Sequence, residues 1–226
     1  ALLAAFELAP SMMDACLATE RRSRFIARRD ALYMEVPTHL GWDEQWKPYL
    51  SVLCLPTLII TIHRDRVHSL VDVIDGLEED SPLYGNDTAA ILFHLLSAII
   101  RKNLDAALDV RSQAETLAQK NDQETDLIDP AQIANLRQRI SHYATVHDDH
   151  TYCAGVLRTV ESSPLRMTDQ LALFDGQLRL AKLSRQLIAG AESRVGDLQR
   201  TYDTAVQQRV ESRLRLLTIL SAVFLP

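Results

Sequence analysis

The chain has 226 residues, 47% hydrophobic and 24% charged, which is enough apolar material for one substantial core and excludes a disordered tail. Its 24 basic and 30 acidic residues leave a net charge of -6, which disfavours nonspecific nucleic-acid binding, so nucleic acid is set aside as a partner. Three cysteines (Cys16, Cys54 and Cys153) without CxxC spacing indicate neither a disulfide framework nor a zinc ribbon, and a reducing cytosol fits them best.

The opening "ALLAAFELAP" is apolar but has no basic flank, carries Glu7 and runs on to Asp14. It reads as the middle of an amphipathic helix rather than a secretory signal, with natural sequence expected upstream. "ERRSRFIARRD" then sets five arginines within the nine residues from Arg21 to Arg29. Two readings stand side by side: a solvated or ion-paired loop, and a patch for phosphate or lipid headgroups.

"ALYMEVP" (31 to 37), "YLSVLCL" (49 to 55) and "TLIITIH" (57 to 63) are β-branched or aromatic runs bounded by prolines, which predicts strands, the last two forming a hairpin through Leu55-Pro56. Both hairpin strands are almost wholly apolar, as expected of a sheet covered by helices on both faces. "VHSLVDVIDGL" (67 to 77) predicts a short helix ending at Gly76, and the loop "EEDSPLYGND" after it marks a subdomain boundary. Glu78, Glu79 and Asp80 in that loop read as a solvated face or as a site that concentrates cations.

Beyond Asp87 the pattern becomes helical. Glycine is scarce, 7 in the whole chain, and none lies between Gly85 and Gly155, which favours long uninterrupted helices. The first helix carries Leu92, Leu96, Ile100, Leu104 and Leu108 at one residue per turn. The second opens on Asp129-Pro130, since proline is tolerated in a first turn. Its stripe of Ile133, Leu136, Ile140, Tyr143, His147, His150, Ala154 and Leu157 alternates three and four residues, as a coiled-coil seam does. The third stretch, from 165 to 225, repeats apolar or small residues from Leu187 through Val195, Leu198, Tyr202, Val206 and Val210 to Phe224. A single helix of about 60 residues would extend about 90 Å and would need partners along its length, either the preceding helix pair or further copies of itself. The expected segments are 1–87, an α/β part; 88–163, a long helical hairpin; and 164–226, a stalk helix.

The last eleven residues, 216–226, carry no charge and follow Arg209, Arg213 and Arg215. They supply about half of the ~20 apolar residues of a membrane span, so they read either as the start of a span or as a buried helix end. In the first case the arginines place their side in the cytosol.

"RVESRLRLLTILSAVFLP" resembles the junction between stalk and membrane in the CorA family of divalent-cation transporters and channels, which includes a zinc-transporting ZntB branch. "ELAPSMMDACLATERRSRFIARRDALYMEV" is similar to that family's helix–loop–strand segment, with Arg22-Ser23-Arg24 where Arg-Pro-Lys or Arg-Pro-Arg is usual. "LPTLIITIH" resembles its sheet hairpin, and "AAILFHLLSAIIRKNLDAAL" the first of its paired helices. The resemblance implies a helix-dominated α+β domain: an α/β/α sandwich with a mixed sheet, a long helical hairpin and a very long C-terminal stalk helix. It further implies the cytoplasmic portion of an inner-membrane protein, assembled as a homopentamer and attached to the membrane through its C-terminal segment. The family's Gly-Met-Asn signature would lie beyond residue 226, and its N-terminal strands before residue 1.

Chemistry-bearing residues are few. No nucleophile-base arrangement, glycine-rich phosphate loop or HExxH pair is present, and no catalytic residue or enzyme activity is indicated. "HDDHTYC" offers His147, His150 and Cys153 to one metal ion from successive turns; the alternative makes both histidines seam residues hydrogen-bonded across the hairpin. By resemblance, a regulatory divalent cation binds between protomers near Asp14 and Asp175, although a gapless count puts Ala15 and Gly176 at the usual acidic positions. Glu211, Leu214, Leu217, Ser221 and Leu225 fall where the family's narrow pore is lined, with leucine rings excluding water and a glutamate ring attracting cations.

The leading expectation is a cytosolic sensor and stalk for transport of Mg²⁺ or Co²⁺, gated by intracellular metal. Zinc transport is the alternative within the family, since imidazole and thiolate suit Zn²⁺ better than Mg²⁺. A membrane-tethered helical scaffold is the alternative from another class; it would form a dimeric or trimeric coiled coil without any thermal response to divalent ions.

Overall fold

Proline and aspartate set where three of the helices begin. The computed structural model describes residue 6 and residues 8–38, 48–64, 67–78, 87–123, 129–161 and 165–224. Helix α1 (Pro10–Leu17) opens on its proline, and α4 (Pro130–Leu157) does the same while Asp129 Oδ1 accepts the Ala131 amide at 2.9 Å. Helix α3 (Thr88–Gln123) is capped by Asp87, whose Oδ1 accepts the Ala90 amide at 2.8 Å. Helix α2 (His68–Glu78) passes Gly76, the expected stop, because glycine weakens a helix by about 1 kcal/mol without ending it. A 3-10 turn at Met167–Gln170, entered through Arg166 at a left-handed φ of 52°, leads into α5 (Leu171–Phe224), 54 residues without an interruption.

The sheet runs β1 (Arg24–Ala27), β2 (Leu32–Pro37), β3 (Tyr49–Leu55) and β4 (Leu58–Ile62), in that order and wholly antiparallel. The expected hairpin is present, with Leu55 opposite Leu58 across Pro56-Thr57. The mixed sheet is not found among the described residues. Strand order follows chain order, and the connections from β1 to β2 and from β3 to β4 are far shorter than the dozen or more residues that a parallel crossover needs. Strand β1, taken as loop in the arginine-rich segment, pairs Phe25 with Met34 and Ile26 with Tyr33.

Contacts divide the chain into two units: Ala1–Ala107 with Tyr143–Gln186, and Leu108–His142 with Leu187–Pro226. This division differs from the three expected segments because α3, α4 and α5 are each long enough to contribute to both units.

In the first unit the sheet is covered on both faces, as its apolar strands led one to expect. Leu32, Met34 and Val36 of β2, with Leu50, Val52 and Cys54 of β3, join a core that includes Leu92, Leu96 and Ile99 of α3, Leu157 of α4 and Phe174 of α5. The opposite face carries Tyr33 and Leu53 against Met12, Ala15 and Cys16 of α1, and Tyr33 Oη donates to the Ala15 carbonyl at 3.1 Å. The second unit buries Val110, Ala114 and Leu117 from α3, Ile133, Leu136 and Ile140 from α4, and Ile188, Ala191, Val195 and Leu198 from α5. There Arg139 Nη1 donates to Gln113 Oε1 at 2.9 Å, linking α4 to α3.

Every member of the α4 stripe from Ile133 to Leu157 is buried. The α3 stripe holds only to Ile100: Leu104 is half-buried and Leu108 is 47% exposed. A strict four-residue step overshoots a 3.6-residue turn by about 40°, so four steps rotate the row about 160° around the helix. The buried positions move instead to Asn103, Ala107, Val110 and Ala114.

Candidate functional site

Three places hold the site residues expected from the sequence: the far end of α5, the carboxylates Asp14 and Asp175, and the polar groups buried in the first unit.

Along α5 the buried row ends at Leu198, Tyr202 and Ala205 are half-buried, and every residue from 206 to 224 is exposed. The helix persists there on local support: Ser212 Oγ donates to the Gln208 carbonyl at 2.9 Å and Thr218 Oγ1 to the Leu214 carbonyl at 2.8 Å. Gln207 Nε2 lies 3.4 Å from Glu211 Oε1. Glu211, Leu214, Leu217 and Ser221 follow one another at three, three and four residues, so they share one side of the helix, and all four are exposed. Leu225 lies outside the described residues.

Asp14 is exposed on α1, while its neighbour Ala15 is buried against the sheet with its carbonyl held by Tyr33. A carboxylate at position 15 would be driven into that core, so position 14 is the one that offers its charge to solvent. Asp175 lies in the second turn of α5 and is ion-paired, its Oδ1 2.7 Å from Arg158 Nε in the turn after α4. A side chain at Gly176 would meet Arg179 Nη2 at 4.0 Å.

His147, His150 and Cys153 are buried in α4, and no group of three His, Cys, Asp or Glu among the described residues converges to hold a metal ion. Both histidines lie on the buried row of α4, where the seam reading puts them, but the partner of His150 is not the neighbouring helix. His150 Nε2 bonds the Pro37 carbonyl of β2 at 2.7 Å, tying helix to sheet rather than helix to helix. Burial lowers the His150 pKa to about 4, so the ring is neutral and Nε2–H is the donor. His147 stacks on Tyr143 with ring centroids 6.5 Å apart; burial, then His150 and Arg185, push its pKa down to about 3. Burial also pushes the Cys153 thiol up to about 12, which keeps it protonated.

Sequence reasoning missed Glu35. It is fully buried on the α1 face of the sheet, with Oε1 3.2 Å from Arg21 Nη1 and Oε2 3.6 Å from Arg24 Nε. Arg21 Nη1 also donates to Ser51 Oγ at 2.9 Å. Arg24, Glu35 and Ser51 stand opposite one another across β1, β2 and β3, so the sheet register builds the cluster. Two of the five arginines are thus ion-paired through this carboxylate. The signal was one charged residue in "ALYMEVP", two positions from Tyr33 and so on the same face.

The family model described as CorA-like Mg2+ transporter protein matches residues 1–226. No curated protein matches the chain. Among solved structures, the full-length CmaX protein superposes with a TM-score of 0.88 at 14% identity, over 100% of this chain and 69% of that one. The complete CorA magnesium transporter of Methanocaldococcus jannaschii gives 0.81 at 14%, over 99% of this chain and 71% of that one. The ZntB cytoplasmic domain from Vibrio parahaemolyticus gives 0.76 at 13%, over 91% and 82%. Such identities speak to the fold: a helix-dominated domain with a sheet and a long C-terminal helix. Among the described residues no helix is long and apolar enough to cross a membrane. With the family model matching from the first residue to the last, and the fold agreeing, the chain belongs to the CorA-like Mg²⁺ transporter protein family.

Proposed function

We propose that this chain is the cytosolic sensor and stalk of a transporter for Mg²⁺ or Co²⁺, assembled as a pentamer around a pore that α5 helps to line. The supporting observation is the end of α5. Nine large apolar side chains between Val206 and Phe224 are exposed on one continuous helix, a density that a lone water-soluble surface does not sustain. Lipid on one side and further copies of α5 on the other would cover them. Leu214, Leu217 and Ser221 then face the axis, and Arg209, Arg213 and Arg215 stay on the cytosolic side.

Transport follows from the membrane potential, about 2.3 kcal/mol per charge per 100 mV, hence twice that for a divalent ion. Mg²⁺ gives up its water reluctantly, so the ion travels largely hydrated, and apolar rings close the path by excluding that water. Feedback rests on the resemblance: a hydrated cation shared by Asp14 and Asp175 of adjacent protomers favours the closed assembly by its differential affinity for that state. Both carboxylates are accessible, one exposed and one 39% exposed, and outer-sphere contact through water suits them.

The test is dye-based uptake by the native protein in vesicles with an inside-negative potential, with Mg²⁺, Co²⁺ and Zn²⁺ in competition. Uptake of Mg²⁺ or Co²⁺ that grows with the potential is expected. Preference for Zn²⁺ would move the protein to zinc transport, and absence of any divalent flux would overturn the reading.

A further inference from the structure

We propose that Arg158 is a built-in competitor of the cation at Asp175, and that it sets the concentration at which the cation binds. The proposal rests on the reading of Asp175 as part of a cation site between protomers.

The local fold puts Arg158 there. Helix α4 ends at Leu157, and the chain turns tightly: the Arg158 amide bonds the Ala154 carbonyl at 3.4 Å and the Thr159 amide bonds Val156 at 2.9 Å. Thr159 Oγ1 closes the turn on the same Val156 carbonyl at 2.8 Å. Leu157, before the arginine, and Val160, after it, are both buried in the core that also holds Phe174 and Leu178 of α5. The buried flanks fix the backbone, and the arginine between them is left on the surface facing the second turn of α5. The positive charge of Arg158 also suits the C-terminal end of α4, where the helix dipole is negative.

Asp175 Oδ1 lies 2.7 Å from Arg158 Nε, so one carboxylate oxygen is already committed to a positive charge. Arg179 adds a second guanidinium close by, within 4.0 Å of the Cβ position of Gly176. A divalent ion arriving at Asp175 therefore meets two effects of the same sign. It must displace or share the Arg158 ion pair, and it feels repulsion from the guanidiniums around the carboxylate. The pair is more than one-third exposed on both sides, so the first effect is small, and the repulsion is screened by salt. Together they amount to a several-fold weakening of cation binding.

Calorimetric titration of the intact native oligomer with MgCl₂ or CoCl₂ tests this, with wild type, Arg158→Gln, Arg158→Lys and Asp175→Asn compared at low salt. Helix content and melting temperature in metal-free buffer check that each variant is folded. Arg158→Gln is expected to tighten the apparent affinity by about fivefold, more at low salt than at high. Arg158→Lys should stay within about twofold of wild type because the charge is kept, and Asp175→Asn should abolish binding. Binding that appears only in Arg158→Gln would also support the proposal. Unchanged affinity in Arg158→Gln, with binding still lost in Asp175→Asn, would overturn the role of Arg158 and leave the site standing. Binding indifferent to Asp175→Asn, or absent from every variant, would overturn the site and the competitor together.

Discussion

Lowering the pH from about 7.5 to about 5 should destabilise the first unit through His147 and His150. Both imidazoles are buried in α4, and burial lowers their pKa values to about 3 and about 4 from an ordinary 6.5. The unfolded chain takes up a proton at each as the pH falls below 6.5, while the folded chain refuses both until the pH approaches 4. Stability is therefore complete above pH 6.5 and is lost as the pH falls from there toward the folded values. Each histidine costs about 1.4 kcal/mol per pH unit, so at about pH 5 each has cost about 2 kcal/mol and the pair about 4 kcal/mol. Against a total of about 5–15 kcal/mol that loss shows as a large drop in the urea midpoint. His147→Phe keeps a ring of similar size beside Tyr143 and removes one of the two titrations. It should recover about half of the acid loss while leaving the midpoint at about pH 7.5 little changed. Groups that face the pair, including Arg185 and Asp148, are common to wild type and variant, so the difference between the two pH profiles isolates His147. Parallel pH profiles for wild type and His147→Phe would refute the assignment of acid sensitivity to this pair.

Glu35→Gln removes the buried carboxylate shared by Arg21 and Arg24 and should cost about 2–4 kcal/mol in urea unfolding, part of which the double variant Glu35→Gln, Arg21→Gln restores. Phe174 is fully buried and meets Phe93 edge-on at 6.0 Å, so Phe174→Ala should cost about 3–5 kcal/mol, whereas Phe174→Leu should cost less than about 2 kcal/mol. Leu214→Gln and Leu220→Gln, at sites 57% and 44% exposed, should shift the stability of the 226-residue chain alone by no more than about 0.5 kcal/mol. A larger loss would mean that these leucines pack inside the chain.

Helix positions were legible wherever a three-four alternation persisted, because that spacing tracks the true helical turn. The α4 stripe is the case in point, and its reading carried the two histidines correctly into the core. The α3 stripe misled after Ile100 because a constant step of four rotates off the buried side, and small residues such as Ala107 and Ala114, which carry little hydrophobic signal, took over the packing. The hairpin at Pro56-Thr57, and with it the antiparallel pairing of β3 and β4, was visible in the proline between two apolar runs, but the direction of the other strand pairs was not, since β pattern repeats every two residues whichever way a neighbour runs. The Glu35 cluster was hidden for a related reason: it depends on register across three strands, and register is a property of pairing that no single segment displays. Arg158 was equally invisible, because its meeting with Asp175 is made by the turn between two helices.

Chemical blocking of the path is the most direct measurement of whether α5 lines it. The three native cysteines are buried, so a water-soluble, positively charged thiol reagent has no ready target in the wild-type chain. Leu217→Cys and Ser221→Cys place a thiol on the side of α5 assigned to the axis, and Leu216→Cys places one on the side assigned to lipid. The expected result is that the reagent stops divalent-cation uptake through Leu217→Cys and Ser221→Cys and leaves Leu216→Cys running. Uptake that continues at all three positions, or that is blocked equally at all three, would contradict a pore lined by this helix.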